Sequence, residues 1–455
     1  MQRDQNSLTE GVIWKQMLLF ALPILMGNLF QQLYNTVDAL IVGQFLDKAA
    51  LAAVTSSGSL IFMLVGFFNG IAMGAGVVIS KLYGAKDHKG LSLAVHTDIA
   101  FGLTAGILLT VLGVALTPTI LRWMGTPDNV LPKSIEYFRL YFSGALFIVM
   151  YNICVGILQA VGDSKHPLYY LICSSIINVA LDLLFVGVFR WGVWSAALAT
   201  TISQGVSMVL CLYRLARYET PYRLNWRKIR FHKPTLKNVI RFGLPSGVQN
   251  SIIAFANLVV QSNINMFQDA AMAGCGSYAK VEGFVFLPIT CFAMALSTFV
   301  GQNLGAKQYD RVKKGVRFGI ICSVVLAELV GVLIFFFGKY LIALFDSSPD
   351  VVGYGARQAQ VEALAYFLLA FSHCIVGIMR GAGKATVPMF TMLFAWCAVR
   401  ITYITIMIRY IPKIEVVFSA YPLTWFISSV IFLIYFLKVD WIHNFDRLDR
   451  KQQLT

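Results

Sequence analysis

Several long stretches of the chain contain no charged residue, and their length restricts the fold more than any other feature. They include residues 49–80, 140–162, 191–213 and 416–437. Each is longer than the ~20 residues that a helix needs to cross the hydrocarbon core of a bilayer. None shows the polar and apolar alternation that is typical of a membrane β-strand. These stretches predict an all-α integral membrane protein.

The overall composition agrees with this prediction. Of the 455 residues, 58% are hydrophobic and 13% are charged, whereas a soluble domain has about 25% charged residues. Apolar stretches separated by polar loops predict twelve transmembrane helices. The eight cysteines lie mostly within these stretches and lack the spacing of metal ligands. We therefore expect buried apolar side chains rather than disulfides or a metal site.

The two halves of the sequence repeat each other. Leu22-Pro23 corresponds to Leu244-Pro245, and Gly84-Ala85-Lys86 corresponds to Gly305-Ala306-Lys307, at a separation of about 221 residues. Each half has six predicted helices, so both halves enter the membrane in the same direction. We predict two parallel six-helix lobes, related by a pseudo-two-fold axis normal to the membrane, with a site at their interface. The predicted divisions are a lobe at 1–215, a basic linker at 216–237, a second lobe at 238–438 and a tail at 439–455.

The basic residues indicate how the chain is oriented in the membrane. The net charge is +15, and most Lys and Arg residues lie at the termini and in the loops after even-numbered helices. The positive-inside rule therefore predicts that both termini and the linker are cytoplasmic, in a plasma (inner) membrane. Because these residues lie between membrane helices, the charge does not indicate a nucleic-acid partner.

Two aspartates lie inside predicted helices of the first half, Asp38 and Asp182. A charge at the centre of a bilayer costs at least about 2.5–3.5 kcal/mol, and the central parts of these helices contain no basic residue that could pair with them. The repeat places Val260 and Tyr403 at the equivalent positions of the second half. The scaffold therefore does not require carboxylates at these positions, and a function is the better explanation.

Asn178 lies one helical turn before Asp182, and Thr200 provides a hydroxyl group in the next helix. Together with the two aspartates they offer only oxygen ligands, which suit a hard cation. Two carboxylates in a low dielectric cannot both stay charged without a proton or a metal ion. We predict a coupling-cation site for H⁺ or Na⁺ formed by Asp38, Asn178, Asp182 and Thr200.

Other residues are candidates for substrate binding and for helix bending. Gln31 and Asn35 share the helical face of Asp38, and Met63 and Met150 add adaptable side chains, so these four are candidates for lining a substrate cleft. Pro23 removes a backbone donor and can bend the first helix. A static kink is the alternative explanation for this proline.

The second half carries charges of both signs within its predicted helices. Lys280, Glu282, Glu328 and Arg400 sum to zero, so we expect them to pair with one another and to serve the structure. His373 is the only histidine well inside a predicted helix, and we expect a satisfied interior side chain, with a proton relay as the alternative. Glu282, Glu328, His373 and Arg400 are retained as secondary candidate site residues.

Several motifs resemble those of the multidrug and toxic compound extrusion (MATE) family of transporters. They are "ALPILMGNLFQQLYNTVDALIVGQF" at 21–45, "SKLYGAKDHKG" at 80–90, "KVEGFVFLP" at 280–288 and "GQNLGAKQYDRV" at 301–312. The resemblance covers essentially the whole chain. It implies a V-shaped pair of six-helix lobes, alternating access, and export of drug-like compounds against inward Na⁺ or H⁺.

The resemblance also implies roles for individual residues. Asp38, Asn178, Asp182 and Thr200 fall where one prokaryotic branch of the family has its N-lobe cation network. Pro23 falls at a proline that this branch links to bending of the first helix, and Gln31 falls at a glutamine of the family. Other branches carry acidic residues in the seventh and tenth helices. Here the seventh helix has Asn250, Asn257 and Gln261, and the tenth has His373, with Glu362 predicted near its outer end. Coupling through the second lobe is therefore not implied.

These observations predict a secondary antiporter, not an enzyme, that exports drug-like and often cationic organic compounds. The Gly-Ala-Lys segments lack the spacing of a phosphate-binding loop, so we expect them to form tight cytoplasmic turns between helices. We therefore expect an ion gradient to drive transport, with no cofactor other than Na⁺ or H⁺. We expect a monomer in the lipid bilayer, with small organic substrates and no nucleic acid. The alternative is a flippase for a lipid-linked saccharide or lipid. An ion channel or an intramembrane enzyme fits less well, because the halves are asymmetric and only one histidine lies within the membrane.

Overall fold

The structure of the protein is a computed structural model that describes residues 7–46, 58–123 and 126–453. Every regular element in these ranges is helical. The α-helices, numbered in chain order, are α1 (Ile13–Phe45), α2 (Gly58–Gly84), α3 (His88–Trp123), α4 (Leu131–Ser143), α5 (Ala145–Ala160), α6 (Lys165–Asp182), α7 (Trp194–Arg217), α8 (Lys233–Ile264), α9 (Gln268–Gly305), α10 (Tyr309–Ala343), α11 (Pro349–Glu362), α12 (Tyr366–Gly381), α13 (Thr386–Met392), α14 (Arg400–Tyr410), α15 (Glu415–Lys438) and α16 (Asn444–Gln453).

The helices are long and apolar enough to cross a membrane many times. Within the described ranges, nine helical stretches meet these criteria, or ten if α4 and α5, which meet at 46°, form one span. One of the nine, Lys233–Gly305, has 73 residues. As a single helix it would be about 110 Å long, so it crosses twice, with a break at Asn265–Phe267. Helix α2 adds a 27-residue apolar helix. This inventory agrees with the twelve predicted spans.

The described helices fall into two compact units. The first contains Leu22–Leu244, and the second contains Leu8–Ala21 together with the chain from Pro245 onward. Helix α1 therefore begins in the second unit and continues in the first, and α8 begins in the first unit and continues in the second. Both divisions fall at the repeated Leu-Pro pair. The predicted boundaries differ at both places, because they put all of α1 in the first lobe and began the second lobe at residue 238.

The N-terminal segment is held in the second unit by the motif at 301–312. Gln302 and Asn303 are fully buried near the end of α9, and Arg311 lies in the first turn of α10. These side chains bind the backbone just before α1. The Leu8 amide donates to Gln302 Oε1 at 2.9 Å, Asn303 Nδ2 donates to the Leu8 carbonyl at 3.2 Å, and Arg311 donates to the carbonyls of Leu8 at 3.2 Å, Glu10 at 2.9 Å and Gly11 at 2.7 Å.

Equivalent helices pack in the same register within each unit. A methyl group built on Gly156 of α5 would lie 3.6 Å from the carbonyl oxygen of Ala72 in α2. The equivalent Gly377 of α12 lies against Ala293 of α9, where the same distance is only 2.2 Å. Small residues allow membrane helices to approach closely in this way. The packing therefore repeats along with the sequence.

The two Gly-Ala-Lys segments form tight turns between helices. Lys86 and Lys307 have φ values of 56° and 57°, so each occupies the left-handed region that closes a short turn. The identical geometry in both halves agrees with the prediction of interhelical turns.

Candidate functional site

Two contacts set the level of Asp38 relative to Asp182, one between α1 and α6 and one between α1 and the π-helical segment Leu183–Val188 that directly continues α6. A methyl group built on Gly27 would lie 3.7 Å from the Leu171 side chain, and one built on Gly187 would lie 3.7 Å from the Phe45 ring. The helices therefore run side by side in the same direction. Asp38 follows Gly27 by eleven residues and Asp182 follows Leu171 by eleven residues, which is about 16 Å along each axis. The two aspartates consequently lie at the same level.

The two carboxyl groups lie within electrostatic range of each other, and several polar atoms around them are unsatisfied. Asp182 and Asn178 are 0% and 1% exposed. Neither Asp182 oxygen and neither Asn178 side-chain polar atom has a hydrogen-bond partner among the described residues, and the same holds for Asp38 Oδ1. Buried polar groups normally have partners, and each exception requires an explanation such as an ion. This cluster has five such atoms in one place.

Polar side chains from α4 and α7 complete the surroundings of the aspartates. Tyr34 lies one turn before Asp38 and is within hydrogen-bond reach of Gln204, whose Oε1 has no partner among the described residues. Tyr137 lies within electrostatic range of both aspartates and stacks on Tyr141, with ring centroids 6.2 Å apart.

Thr200 is buried in α7 one turn before Gln204. Its hydroxyl donates to the Ala196 carbonyl at 3.1 Å, so its oxygen lone pairs stay available to a cation. Four pairs of these residues are spaced i, i+4, which places the two members of each pair on one helical face. The pairs are Tyr34 with Asp38, Tyr137 with Tyr141, Asn178 with Asp182, and Thr200 with Gln204. Sequence analysis missed Tyr34, Tyr137, Tyr141 and Gln204, although this spacing pointed to them.

The helix changes its geometry at Asp182. Helix α6 ends at this residue and continues as a π-helical segment, Leu183–Val188. π-helical turns are rare and occur frequently at functional sites. In the second unit the corresponding chain also contains a π-helical segment, Leu393–Val399, which ends directly before Arg400. Each unit therefore places a wide helical turn beside its buried charged residue.

The cluster has the chemistry of a site for one small hard cation. Its donors are carboxylate, amide and hydroxyl oxygens, which suit Na⁺ or a proton better than a soft metal. The described part of the chain contains no group of three or more His, Cys, Asp or Glu side chains that could hold a metal ion. Two like charges about 4 Å apart repel by about 4 kcal/mol at an effective dielectric of about 20. A bound cation or proton would remove this repulsion.

The other predicted residues of the first half have mixed environments. Gln31 and Asn35 are exposed, so a ligand can reach them. Met150 is 1% exposed and packs on Gly102, so the structure places it in the packed interior of the unit rather than in a cleft. Pro23 lies inside α1. The side chain of Met63 lies outside the described residues.

The second unit contains a buried cluster with charges of both signs. Glu362 is 0% exposed and accepts hydrogen bonds from Gln358 Nε2 at 2.9 Å and from the Tyr278 hydroxyl at 3.4 Å. Glu282 lies close enough to interact with both Glu362 and Arg400. Two ionised carboxyl groups and one guanidinium group would leave this cluster with one uncompensated negative charge. Sequence analysis missed Glu362, which it placed near the outer end of its helix.

Arg400 is held mainly by aromatic and hydroxyl groups. It is 1% exposed, and it donates to Thr424 Oγ1 at 2.9 Å. Its guanidinium carbon lies 4.5 Å from the centroid of the Tyr421 ring and 5.2 Å from that of the Trp396 ring. Such cation–π contacts stabilise a desolvated cation by about 2 kcal/mol.

The predicted pairing of four charges in the second half is wrong. Glu328 accepts a hydrogen bond from the Phe367 amide at 3.2 Å, and Lys280 lies over the Phe345 ring at 5.2 Å. Neither joins Glu282 and Arg400 in a common network. His373 packs edge-on against the rings of Phe286 and Trp396, and its Nε2 has no partner among the described residues.

Comparisons with known proteins identify relatives along the whole chain. A sequence model of the MatE family matches residues 23–184 and 245–406. The probable multidrug resistance protein YoeA of Bacillus subtilis (strain 168) is 30% identical over 433 residues, which are 93% of each chain. The probable multidrug resistance protein YpnP of the same strain is 29% identical over 376 residues, 82% of this chain and 84% of YpnP. A solved structure of a MOP superfamily transporter from Pyrococcus furiosus Vc1 has a TM-score of 0.89 at 21% identity, covering 96% of this chain and 97% of that one.

The multi-pass helical fold made of two repeated units, together with these relatives, defines a membrane transporter and not an enzyme. The chain belongs to the MATE family, because the family model matches most of both repeats and a relative at 30% identity covers 93% of the chain. The resemblance recognised in the motifs and the all-α membrane fold are both confirmed.

Proposed function

We propose that this protein is a secondary antiporter that exports drug-like, often cationic organic compounds in exchange for inward Na⁺ or H⁺. The observation that carries the proposal is the pair of carboxylates Asp38 and Asp182, three of whose four oxygens lack hydrogen-bond partners among the described residues. The names of the relatives support the substrate class, since both Bacillus proteins are called probable multidrug resistance proteins.

In this proposal the coupling ion occupies the cluster of Asp38, Asn178, Asp182 and Thr200. A cation that arrives from outside neutralises the two carboxylates and satisfies the Asn178 amide oxygen. Its release on the inside restores the repulsion between the carboxylates. A ligand shifts a conformational equilibrium only if it binds one of the two conformations more tightly than the other. The coupling ion would bind more tightly to the conformation in which it relieves the repulsion between the carboxylates.

The proposal assigns alternating access to a bend in α1. Pro23 lies one residue after the point where α1 passes from the second unit to the first. A proline breaks the backbone hydrogen-bond ladder and allows a helix to bend locally. Residues 8–11 are anchored to Arg311, so a bend at Pro23 would move the part of α1 that carries Asp38 relative to a fixed N-terminal end.

The proposed substrate contacts are the exposed polar residues of α1. Gln31 and Asn35 lie within two turns of Asp38 and are accessible. Exported compounds would approach the aspartates along this face, and cationic compounds would compete there with the coupling ion. We also propose that the protein is a monomer in the plasma membrane with both termini in the cytoplasm. The distribution of Lys and Arg supports this orientation.

The test is efflux of a fluorescent lipophilic cation from proteoliposomes under separately imposed Na⁺ and proton gradients. We expect one of the gradients to drive efflux by the wild type, and we expect the Asp38→Asn and Asp182→Asn variants to lose this gradient-driven component. Asp98→Asn is the matched control, because Asp98 is a carboxylate of the same unit that is 1% exposed but lies outside the cluster. It should retain coupling.

Each outcome has a distinct meaning. Loss of coupling in both site variants, with normal elution on size exclusion and a normal Asp98→Asn variant, supports the site and identifies the ion. Retained coupling in both site variants refutes it and directs attention to Glu362 and Glu282. An absence of efflux in the wild type, combined with movement of a labelled lipid-linked saccharide between leaflets, would favour a flippase.

A further inference from the structure

We propose that the loop between α7 and α8, residues 218–232, binds the phosphate head group of an anionic phospholipid. This loop carries Arg223, Arg227, Lys228 and Arg230, all exposed, and a single acidic residue, Glu219. The inference is independent of the coupling ion and of the exported substrate. It rests on the shape, charge and anchoring of the loop.

The loop forms a basic groove of about 530 Å³. This volume is far larger than the ~30 Å³ that a water molecule occupies in the liquid. Arginine presents a planar set of donors that matches phosphate oxygens, and lysine adds a mobile point charge. Arg223 is positioned by the loop itself, because its Nε donates to the Ala216 carbonyl at 2.9 Å and its Nη1 lies 3.9 Å from Glu219. The groove is lined by Ala216, Arg223, Leu224, Asn225, Trp226 and Lys228.

Hydrogen bonds hold the backbone of the groove in place. The Asn225 amide donates to His96 Nε2 at 2.9 Å, and the His232 amide donates to Thr97 Oγ1 at 3.3 Å. The Leu224 amide donates to the Leu215 carbonyl at 2.8 Å. These bonds hold the loop against the start of α3 and the end of α7. Because both helices cross the membrane, the groove lies at the level of the lipid head groups.

The aromatic residues of the loop fit the same location. Trp226 is 58% exposed and Phe231 is 46% exposed, and each is next to a basic residue in the chain. Aromatic side chains are enriched where membrane meets water, since an amphipathic ring suits that boundary. Juxtamembrane basic residues attract anionic lipids by about 1 kcal/mol each near the surface. Trp226 therefore lies between the acyl boundary and the phosphates, with Arg223 and Lys228 beside it.

Fluorescence quenching of Trp226 tests the inference directly. The full-length protein is reconstituted in phosphatidylcholine nanodiscs that contain a small fraction of lipid brominated in its acyl chain, either phosphatidylglycerol or phosphatidylcholine. The signal of Trp226 is the difference between the wild type and Trp226→Phe. We expect half-maximal quenching at a much lower fraction of brominated phosphatidylglycerol than of brominated phosphatidylcholine.

Charge variants distinguish a site from general attraction. The Arg223→Gln, Lys228→Gln double variant should weaken selective quenching by phosphatidylglycerol about 25-fold, at about fivefold per basic residue. Lys313→Gln with Lys314→Gln is the matched control, because it removes two exposed positive charges outside the groove. The control should leave the quenching curve unchanged.

Three results would overturn the inference. Equal quenching by both brominated lipids would show only that Trp226 lies near the membrane. An equal effect of the two double variants would show attraction by net charge. Relief of quenching by inorganic phosphate at low ionic strength, without relief by an equal ionic strength of chloride, would show that the groove serves a soluble anion rather than a lipid.

Discussion

Replacement of Gly74 by alanine should destabilise the first unit more than any other single-methyl addition to α2. A methyl group built on Gly74 would lie 2.1 Å from the amide nitrogen and 2.2 Å from the Cα of Gly243 in α8. In the reverse direction, a methyl on Gly243 would lie 2.6 Å from the Ile71 carbonyl oxygen. Ordinary contacts between carbon atoms lie at about 3.5–4.0 Å. The obstructing atoms are backbone, so the two helices themselves would have to separate.

The expected cost follows from this geometry. Added methyl groups in a well-packed interior cost about 1–3 kcal/mol, and a backbone obstacle places Gly74→Ala at the upper end, about 3 kcal/mol. For a unit of this size, each kcal/mol lowers the melting temperature by about 2–4 °C. We therefore expect a decrease of about 6–12 °C for the purified protein in detergent, measured as loss of the monodisperse peak on size exclusion after heating.

Gly276→Ala is the matched control. A methyl group on Gly276, in α9, would have no neighbour within 4 Å, and alanine is favoured over glycine inside a helix by about 0.5–1 kcal/mol. We expect this variant to melt at or slightly above the wild-type temperature. If Gly74→Ala behaved like Gly276→Ala, the close approach of α2 to the first part of α8 would be refuted.

Three further predictions concern the charged groups. Asp182→Asn should melt at a higher temperature than the wild type in the absence of the coupling ion. It should also lose the stabilisation that the ion gives the wild type, which is about 2.7 kcal/mol at one hundred times the Kd of the ion. Thermal unfolding across an ion titration measures both effects. Arg311→Gln removes the charged donor to three carbonyls before α1, and each such hydrogen bond contributes about 1.5–3 kcal/mol to stability. Limited proteolysis should therefore cleave the N-terminal segment of this variant faster than that of the wild type. Arg400→Met leaves buried carboxyl groups unpaired and should lower the free energy of unfolding by about 3–5 kcal/mol. Adding Glu362→Gln to this variant should restore part of the melting temperature. If it restores none, the coupling between Arg400 and Glu362 is refuted.

The sequence was sufficient to predict the helices and the duplication, because these follow from local and periodic signals. Charge-free stretches longer than a bilayer is thick have few alternatives to membrane helices. The pairing of Asn178 with Asp182 also followed from spacing within one helix. The closeness of Asp38 to Asp182 depends on the packing of α1 against α6, through Gly27 and Gly187, which no local pattern specifies.

Other features could not be predicted because they join residues that are distant in the chain. Glu362 is buried by Tyr278, which precedes it by 84 residues, and its position near a predicted helix end suggested exposure instead. Met150 seemed suited to a substrate cleft by its chemistry, yet it fills the space left by Gly102. The division of α1 between the two units had one sequence signal, the repeated Leu-Pro pair, whose meaning became clear only from the contacts on either side of it.

The repeat within the chain separates what the fold requires from what the function requires. The positions equivalent to Asp38 and Asp182 are Val260 and Tyr403, and both lie in one apolar cluster of the second unit. The Tyr403 hydroxyl is satisfied by Ser419 Oγ at 3.0 Å. The second unit therefore fills these positions with side chains that belong to or pack against one apolar cluster, whereas the first unit places two carboxylates there, three of whose four oxygens lack hydrogen-bond partners among the described residues. Because the second unit packs without carboxylates at these positions, the fold itself does not require the two aspartates, and the proposed coupling cation accounts for their cost in stability.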